Sequence, residues 1–198
     1  MTRPSIFLHT FDSAMAAEWR KAFDNAPGVV VVEGDILEGR CDAVVSPANS
    51  FGFMDGGIDL AYRRFFGLNV QSRVQAKIKD EFHGELPVGQ AMVVPTGHDA
   101  VPYLVAAPTM RVPDRISDTV NVYLAFRAAL LAVIAHNDRI ETPIKALRTP
   151  ALGTGIGSMP LSRAAHQMHA AYVSVFDDPE WLKDPTAILL HHENLRSM

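Results

Sequence analysis

Apolar residues fall along this chain in two rhythms, short continuous runs and longer stretches that repeat every three or four positions. Ser5 to His9 (SIFLH) is the first short run and predicts a strand. Asp12-Ser13, residue types that cap helices, then precede Met15, Trp19, Ala22 and Phe23 at helical spacing. Pro27-Gly28 ends that helix. Val29 to Val32 is a run of four β-branched residues, too short for a helix, and predicts a strand covered on both faces. Asp42 to Ser46 repeats the signal and predicts a second buried strand. From Gly56 the period lengthens, with Ile58, Ala61, Tyr62, Phe65 and Phe66 lining one face of a helix that Gly67 ends. Val70, Val74, Ile78 and Phe82 mark another amphipathic helix. Gln90 to Pro95 and Tyr103 to Ala107 read as two strands about a GHDAVP turn, and Thr119 to His136 as a buried helix. Ile144 to Leu147 opens a further strand. Pro160 to Phe176 is a helix with Leu161, Ala164, Ala165, Met168, Tyr172 and Val175 as its apolar stripe, and Ala187 to Leu190 is expected to be a last strand. Strands alternating with helices predict an α/β fold with a mixed, mainly parallel sheet covered by helices on both faces.

Composition narrows the class without naming a function. The 198 residues are 48% hydrophobic and 20% charged, which excludes a disordered chain, a coiled coil and a low-complexity scaffold. Eighteen Lys and Arg against 22 Asp and Glu leave a net charge of −4, with no basic stripe of the kind that marks a nucleic-acid binder. A single cysteine, Cys41, allows no internal disulfide and no thiolate zinc site, and fits a reducing, cytoplasmic setting. The first apolar run is too short for a secretory leader, and Val120 to Ala135, interrupted by Asn121 and Arg127, falls short of a membrane span. No membrane partner is expected.

Two glycine-rich loops each leave a buried strand and enter a helix. The first is Ser46-Pro-Ala-Asn-Ser-Phe-Gly-Phe-Met-Asp-Gly-Gly-Ile-Asp59 and the second Gly153-Thr-Gly-Ile-Gly-Ser158. Glycine lets backbone amides approach a ligand closely, and a helix N-terminus adds partial positive charge, so such loops suit phosphates. Either loop alone also reads as a tight turn. Two on one sheet can grip a diphosphate from both sides. There is no GxxxxGK[ST] sequence, and GTGIGS lacks the third glycine of a dinucleotide fingerprint and lies late in the chain, so neither a Walker-type NTPase nor a Rossmann dehydrogenase explains them.

Four motifs in order, Gly34-Asp35-Ile36 after the VVVV strand, DAVVSPANS, GGID at a helix entry and PALGTGIGSMP before a helix, identify the chain as a member of the macrodomain family, the ADP-ribose-binding modules. The resemblance covers roughly Val29 to Leu190. It implies a single macrodomain-like domain over residues 1–198, a three-layer α/β/α fold, with residues 1–27 an added strand and helix. It further implies ADP-ribose, or a substrate carrying it, as the partner, and requires no cofactor or metal. Asp35 matches the aspartate that accepts from the adenine amino group, with the Ile36 backbone beside the ring. An ionised carboxylate is acceptor-only and so pairs with an exocyclic amine. A turn cap is the alternative for Asp35. Asn49 matches the asparagine at the distal ribose, where an Asx turn is the alternative. Gly56, Gly57 and Ile58 form the first phosphate loop, and Gly153, Thr154, Gly155, Ile156, Gly157 and Ser158 the second.

Asp59, ten residues after Asn49, matches an aspartate that with that asparagine orients or activates water at the anomeric carbon in the hydrolytic branch. It equally suits the first turn of a helix, where the macrodipole favours a carboxylate. The chain departs from that branch in having Gly157 where many such enzymes carry an aromatic ring over the distal ribose. It also has Ser46-Pro47 in place of Asn-Ala, and Phe51, Phe53 and Met54 enlarge the first loop, so that Phe51 or Phe53 can take over the ring's place. These departures bear on hydrolysis more than on binding, and de-ADP-ribosylation and non-catalytic recognition both stay open. His191, just past the expected last strand, stands nearest to where the family stacks an aromatic on adenine. His166 and His169 share one helix without a third ligand at metal spacing and read as helix-surface or core histidines.

Overall fold

The structure, a computed structural model, describes residues 3–140, 142–177 and 184–197. In chain order the elements are β1 (Ser5–Thr10), α1 (Ser13–Ala22), β2 (Val29–Glu33), β3 (Ala43–Ser46), α2 (Gly57–Phe66), α3 (Asn69–Phe82), β4 (Met92–Pro95), β5 (Tyr103–Ala106), α4 (Asn121–Asn137), β6 (Ala146–Thr149), α5 (Leu161–Phe176) and α6 (Pro185–Ser197). Asp12 caps α1 as its residue type predicts, its carboxylate accepting from the Ala14 amide at 2.8 Å.

The strands form one six-stranded sheet in the order β2-β1-β6-β3-β5-β4, parallel throughout except for the antiparallel β4–β5 pair. The alternation of side chains divides the interior in two. Ala43, Val45, Val105, Ile6, Leu8 and Leu147 pack under Met15 and Trp19 of α1, Phe126 and Leu130 of α4, and Met168 and Tyr172 of α5. Val44, Leu104, Ala106, Met92 and Val94 pack on the other face with Tyr62 of α2 and Val70, Val74 and Ile78 of α3. Helices thus cover both faces, the three-layer α/β/α arrangement the sequence implies.

Two expectations are corrected. Val29 to Val32 is not covered on both faces: β2 is an edge strand paired only with β1, and Val30 is 48% exposed. Ala187 to Leu190 is not a strand but the start of α6. Four consecutive apolar residues carry no period that separates strand from helix. The decision lies upstream, where the Asp184 carboxylate accepts from the Ala187 amide at 2.9 Å and Pro185 occupies the first helical position. Ile188, Leu189 and Leu190 remain exposed, while Leu195 is the residue that buries, and the Gln167 amide of α5 donates to its carbonyl at 2.9 Å.

Candidate functional site

The carboxyl ends of the parallel strands converge on one cavity of about 540 Å³, within the range of small-molecule sites. Its lining includes Asp35, Ile36, Asn49, Gly56, Gly57, Ile58, Asp59, Gly153, Thr154, Gly155, Ile156 and Gly157, so residues far apart in sequence share one wall. Ser158 and His191 are absent from that lining. Ser158 instead completes the loop, its amide donating to the Gly155 carbonyl at 2.9 Å. His191 sits on α6 with its ring 5.4 Å from that of Tyr123, and the strand expected before it does not exist.

The Asp35 turn is rigidly held. Gly34 donates to the Thr10 carbonyl at 3.0 Å, joining the end of β2 to the end of β1, and the Asp35 carboxylate accepts from the Leu37 amide at 2.9 Å. The cap reading is therefore realised by Oδ1. Its second oxygen has no protein partner among the described residues, and Asp35 is exposed. Behind the turn, Arg148 of β6 donates to the carbonyls of Ile36 (2.8 Å), Glu38 (2.6 Å) and Arg40 (3.1 Å). One guanidinium fork fixes the whole segment.

In the first glycine loop the Asn49 amide is spent on its own backbone. Its Oδ1 accepts from Phe51 (3.1 Å) and Phe53 (3.3 Å), and its Nδ2 donates to the Phe53 carbonyl (2.9 Å). The Asx-type alternative is realised, although Asn49 still lines the cavity. Of the two phenylalanines considered for the missing ring, Phe53 faces the cavity and is 52% exposed, whereas Phe51 lies under the Arg111 guanidinium, 5.1 Å away. The loop then delivers α2, whose N-terminus has no side-chain cap and opens on the cavity, with nothing within 4 Å of a Cβ built at Gly56 or Gly57. Its unpaired amides and dipole there suit an anion.

Asp59, in the first turn of α2, is 8% exposed on the same wall, and Ser46 Oγ donates to its Oδ1 at 2.5 Å. Burial pushes the carboxyl up to about 7, against the lowering effect of the Ser46 hydroxyl. A carboxyl in that range gives and takes protons near neutrality.

The second loop explains its own departure from the hydrolytic pattern. A Cβ at Gly157 would stand 2.5 Å from the Gly153 carbonyl oxygen and 2.7 Å from Ile116, while the Gly157 carbonyl accepts from Ile116 at 2.8 Å. Any side chain at 157 would displace backbone. Gly155, by contrast, has nothing within 4 Å of a built Cβ. Pro160, which caps α5, does not reach the cavity, so the second loop presents its own amides rather than a helix end.

The Macro domain family profile matches residues 45–168. The chain belongs to the macrodomain family. Within this macrodomain the matched region begins at the end of β3, leaving β1, α1, β2 and the Asp35 turn outside it. An uncharacterized protein of Aquifex aeolicus is 33% identical over 140 residues, 71% of this chain and 78% of the relative. A DNA ADP-ribosyl glycohydrolase of Thermus aquaticus is 25% identical over 158 residues, 78% of this chain but 40% of the longer relative. Among solved structures, an Oceanobacillus iheyensis macrodomain mutant with ADPR superimposes with a TM-score of 0.58 at 19% identity, covering 73% of this chain and 77% of that one.

Sequence reading missed the contribution of β1 to this macrodomain's cavity. His9, Thr10 and Phe11 all line it, as do Asp55, Thr109, Met110 and Pro113. Phe11, directly after β1, is 82% exposed beside the Asp35 turn. The last strand in chain order, β6, runs into the Gly153 loop, and the sheet position between β2 and β6 is filled by the first strand. Elsewhere, His166 bonds to Asn194 at 2.7 Å and the His169 ring meets that of Phe23 at 5.2 Å. Cys41 is buried, and burial pushes its thiol up to about 11. Among the described residues no helix is long and apolar enough to cross a membrane.

Proposed function

We propose that this macrodomain binds ADP-ribose and hydrolyses an ADP-ribosyl linkage. The adenine amino group donates to Asp35, with Phe11 over the ring face. The diphosphate lies between the open N-terminus of α2 at Gly56 to Ile58 and the amides of the Gly153 to Gly157 loop. The distal ribose then reaches Asn49 and Asp59. Asp59 removes a proton from a water whose oxygen bonds to the anomeric carbon, the linkage breaks, and the leaving group departs with the bonding pair and is protonated from solvent. On this reading the chain is one domain, and β1 contributes residues to the site.

The observation that carries the reading is Asp59, a buried carboxyl with a pKa of about 7 on the wall shared by both glycine loops. The Oceanobacillus iheyensis neighbour with ADPR supports the ligand, and the Thermus aquaticus relative, a DNA ADP-ribosyl glycohydrolase, supports the reaction class. A binder without turnover is favoured by one observation, the commitment of the Asn49 amide to its own loop. Calorimetry with ADP-ribose, followed by turnover on ADP-ribosylated protein and nucleic acid, tests both parts. Saturable heat with release of ADP-ribose is expected; absence of heat at millimolar ADP-ribose overturns the reading.

A further inference from the structure

Hydrogen bonding ties the second glycine loop to the rest of the fold at one point. Among the described residues, the bonds of 153–158 otherwise reach no farther along the chain than Ala151 and Met159. The outside attachment is the Ile116 amide, which donates to the Gly157 carbonyl at 2.8 Å, and the Ile116 side chain stands within 2.9 Å of a Cβ built at Gly153 or Gly157. The position of Ile116 therefore sets the position of the loop.

The three residues after Ile116 turn toward α4, and each of their carbonyls accepts from a long side chain of α5 or α6. Ser117 accepts from Arg163 of α5 (2.5 Å), Asp118 from Arg196 of α6 (3.0 Å) and Thr119 from Gln167 of α5 (2.8 Å). Gln167 is fully buried and makes two further bonds. Its Oε1 accepts from the Tyr123 amide in the first turn of α4 (3.1 Å), where Val120 supplies no side-chain cap, and its Nε2 also donates to the Leu195 carbonyl of α6 (2.9 Å). One amide joins the turn, the start of α4 and α6, through backbone groups alone. We propose that Gln167 is a positioning residue for the diphosphate: by fixing the Ile116 to Thr119 turn from behind, it holds the amides of the Gly153 to Gly157 loop ready for the phosphates, with Arg196 assisting. This rests on the ADP-ribose reading, in which the base lies at Asp35 and Phe11, away from this turn. A loop already ordered has less freedom to lose when the ligand binds.

The test separates phosphate from base. ADP and adenosine each compete against ADP-ribose on the wild type, Gln167→Met, Arg196→Met and Arg196→Lys, with melting temperatures measured on the free proteins. Gln167→Met leaves two carbonyls without their donor and should melt lower. A loss of stability alone does not change the ratio of ADP to adenosine affinity in the folded protein. Positioning should lower that ratio by roughly 3- to 10-fold in Gln167→Met, with adenosine affinity unchanged, the size of the ordering then left to the ligand. Arg196 is 41% exposed, so Arg196→Met should fold as the wild type does and serves as the readout should Gln167→Met fold poorly. It should lower the ratio by about 2- to 5-fold, and Arg196→Lys, which still donates, should restore it. A wild-type ratio in folded Gln167→Met, or in Arg196→Met should the former not fold, overturns the assignment while ADP-ribose binding stands. A wild type that binds no ADP-ribose overturns the parent reading as well.

Discussion

Ser46 at the end of β3 donates its hydroxyl to Asp59 in the first turn of α2, an oxygen-to-oxygen distance of 2.5 Å across thirteen residues of sequence. The bond fastens the helix that follows the first glycine loop to a strand in the middle of the sheet. It also sets the protonation of the carboxyl, because the hydroxyl favours the ionised form while burial opposes it.

The first prediction concerns stability against pH. Asp59 titrates at about 7 in the folded protein and at the ordinary 3.8 when unfolded. The folded state therefore holds the proton more tightly. Its advantage is complete below pH 4 and is lost as pH rises to 7, beyond which the deficit is constant. Asp59→Asn, which keeps an acceptor for Ser46, should match the wild type near pH 4 and exceed it at pH 8, by up to about 4 kcal/mol. Denaturant titrations at the two pH values measure the gap, and parallel curves would refute the raised carboxyl.

Asp59→Ala should lower turnover by about 10² to 10⁴ while ADP-ribose affinity stays within tenfold, since a general base acts on water rather than on the bound ligand. If the base must be ionised, kcat/KM of the wild type rises with pH through about 7. Ser46→Ala removes the hydroxyl that lowers the pKa and should move that rise to higher pH. Turnover of Asp59→Ala equal to the wild type, or a profile unmoved by Ser46→Ala, would dismiss the base.

In the second loop, Gly155→Val points its branches into open space and should leave the melting temperature unchanged while obstructing ADP-ribose. Gly157→Ala should destabilise the fold, because its methyl meets the Gly153 carbonyl and Ile116. Binding and melting measured on both variants separate the two effects. A stable Gly155→Val that binds normally would mean the loop is only a turn.

At the base end, Asp35→Ala should weaken ADP-ribose by about 1.5 to 3 kcal/mol, the range for a hydrogen bond to a charged group. Phe11→Ala should weaken it by about 1 to 3 kcal/mol, the range for base stacking on an aromatic. Phe11 is too exposed to hold the fold, so its variant should melt as the wild type does. Calorimetry paired with melting checks this, and full affinity in Phe11→Ala would move the base elsewhere.

The sequence alone determined the alternation of strands and helices, the two glycine loops, and most of the residue types that line the cavity wall between them, because local rules govern all three. Period fixes element type, glycine marks close approach, and Asp35, Asn49 and Asp59 stand at spacings set along one continuous stretch of chain. Strand order is a different matter. Nothing local says that β1 inserts between β2 and β6, yet that pairing carries His9 and Phe11 into the cavity. The same limit turned Ala187 to Leu190 from an expected strand into helix, since a short apolar run has no period and only its cap and its packing on α5 decide. Tertiary packing alone also raised the pKa of Asp59, committed the Asn49 amide to its own loop, and left Gly157 no room for the ring that a hydrolytic relative would place there. Burial and contact arise from segments distant in sequence, and no local pattern encodes them.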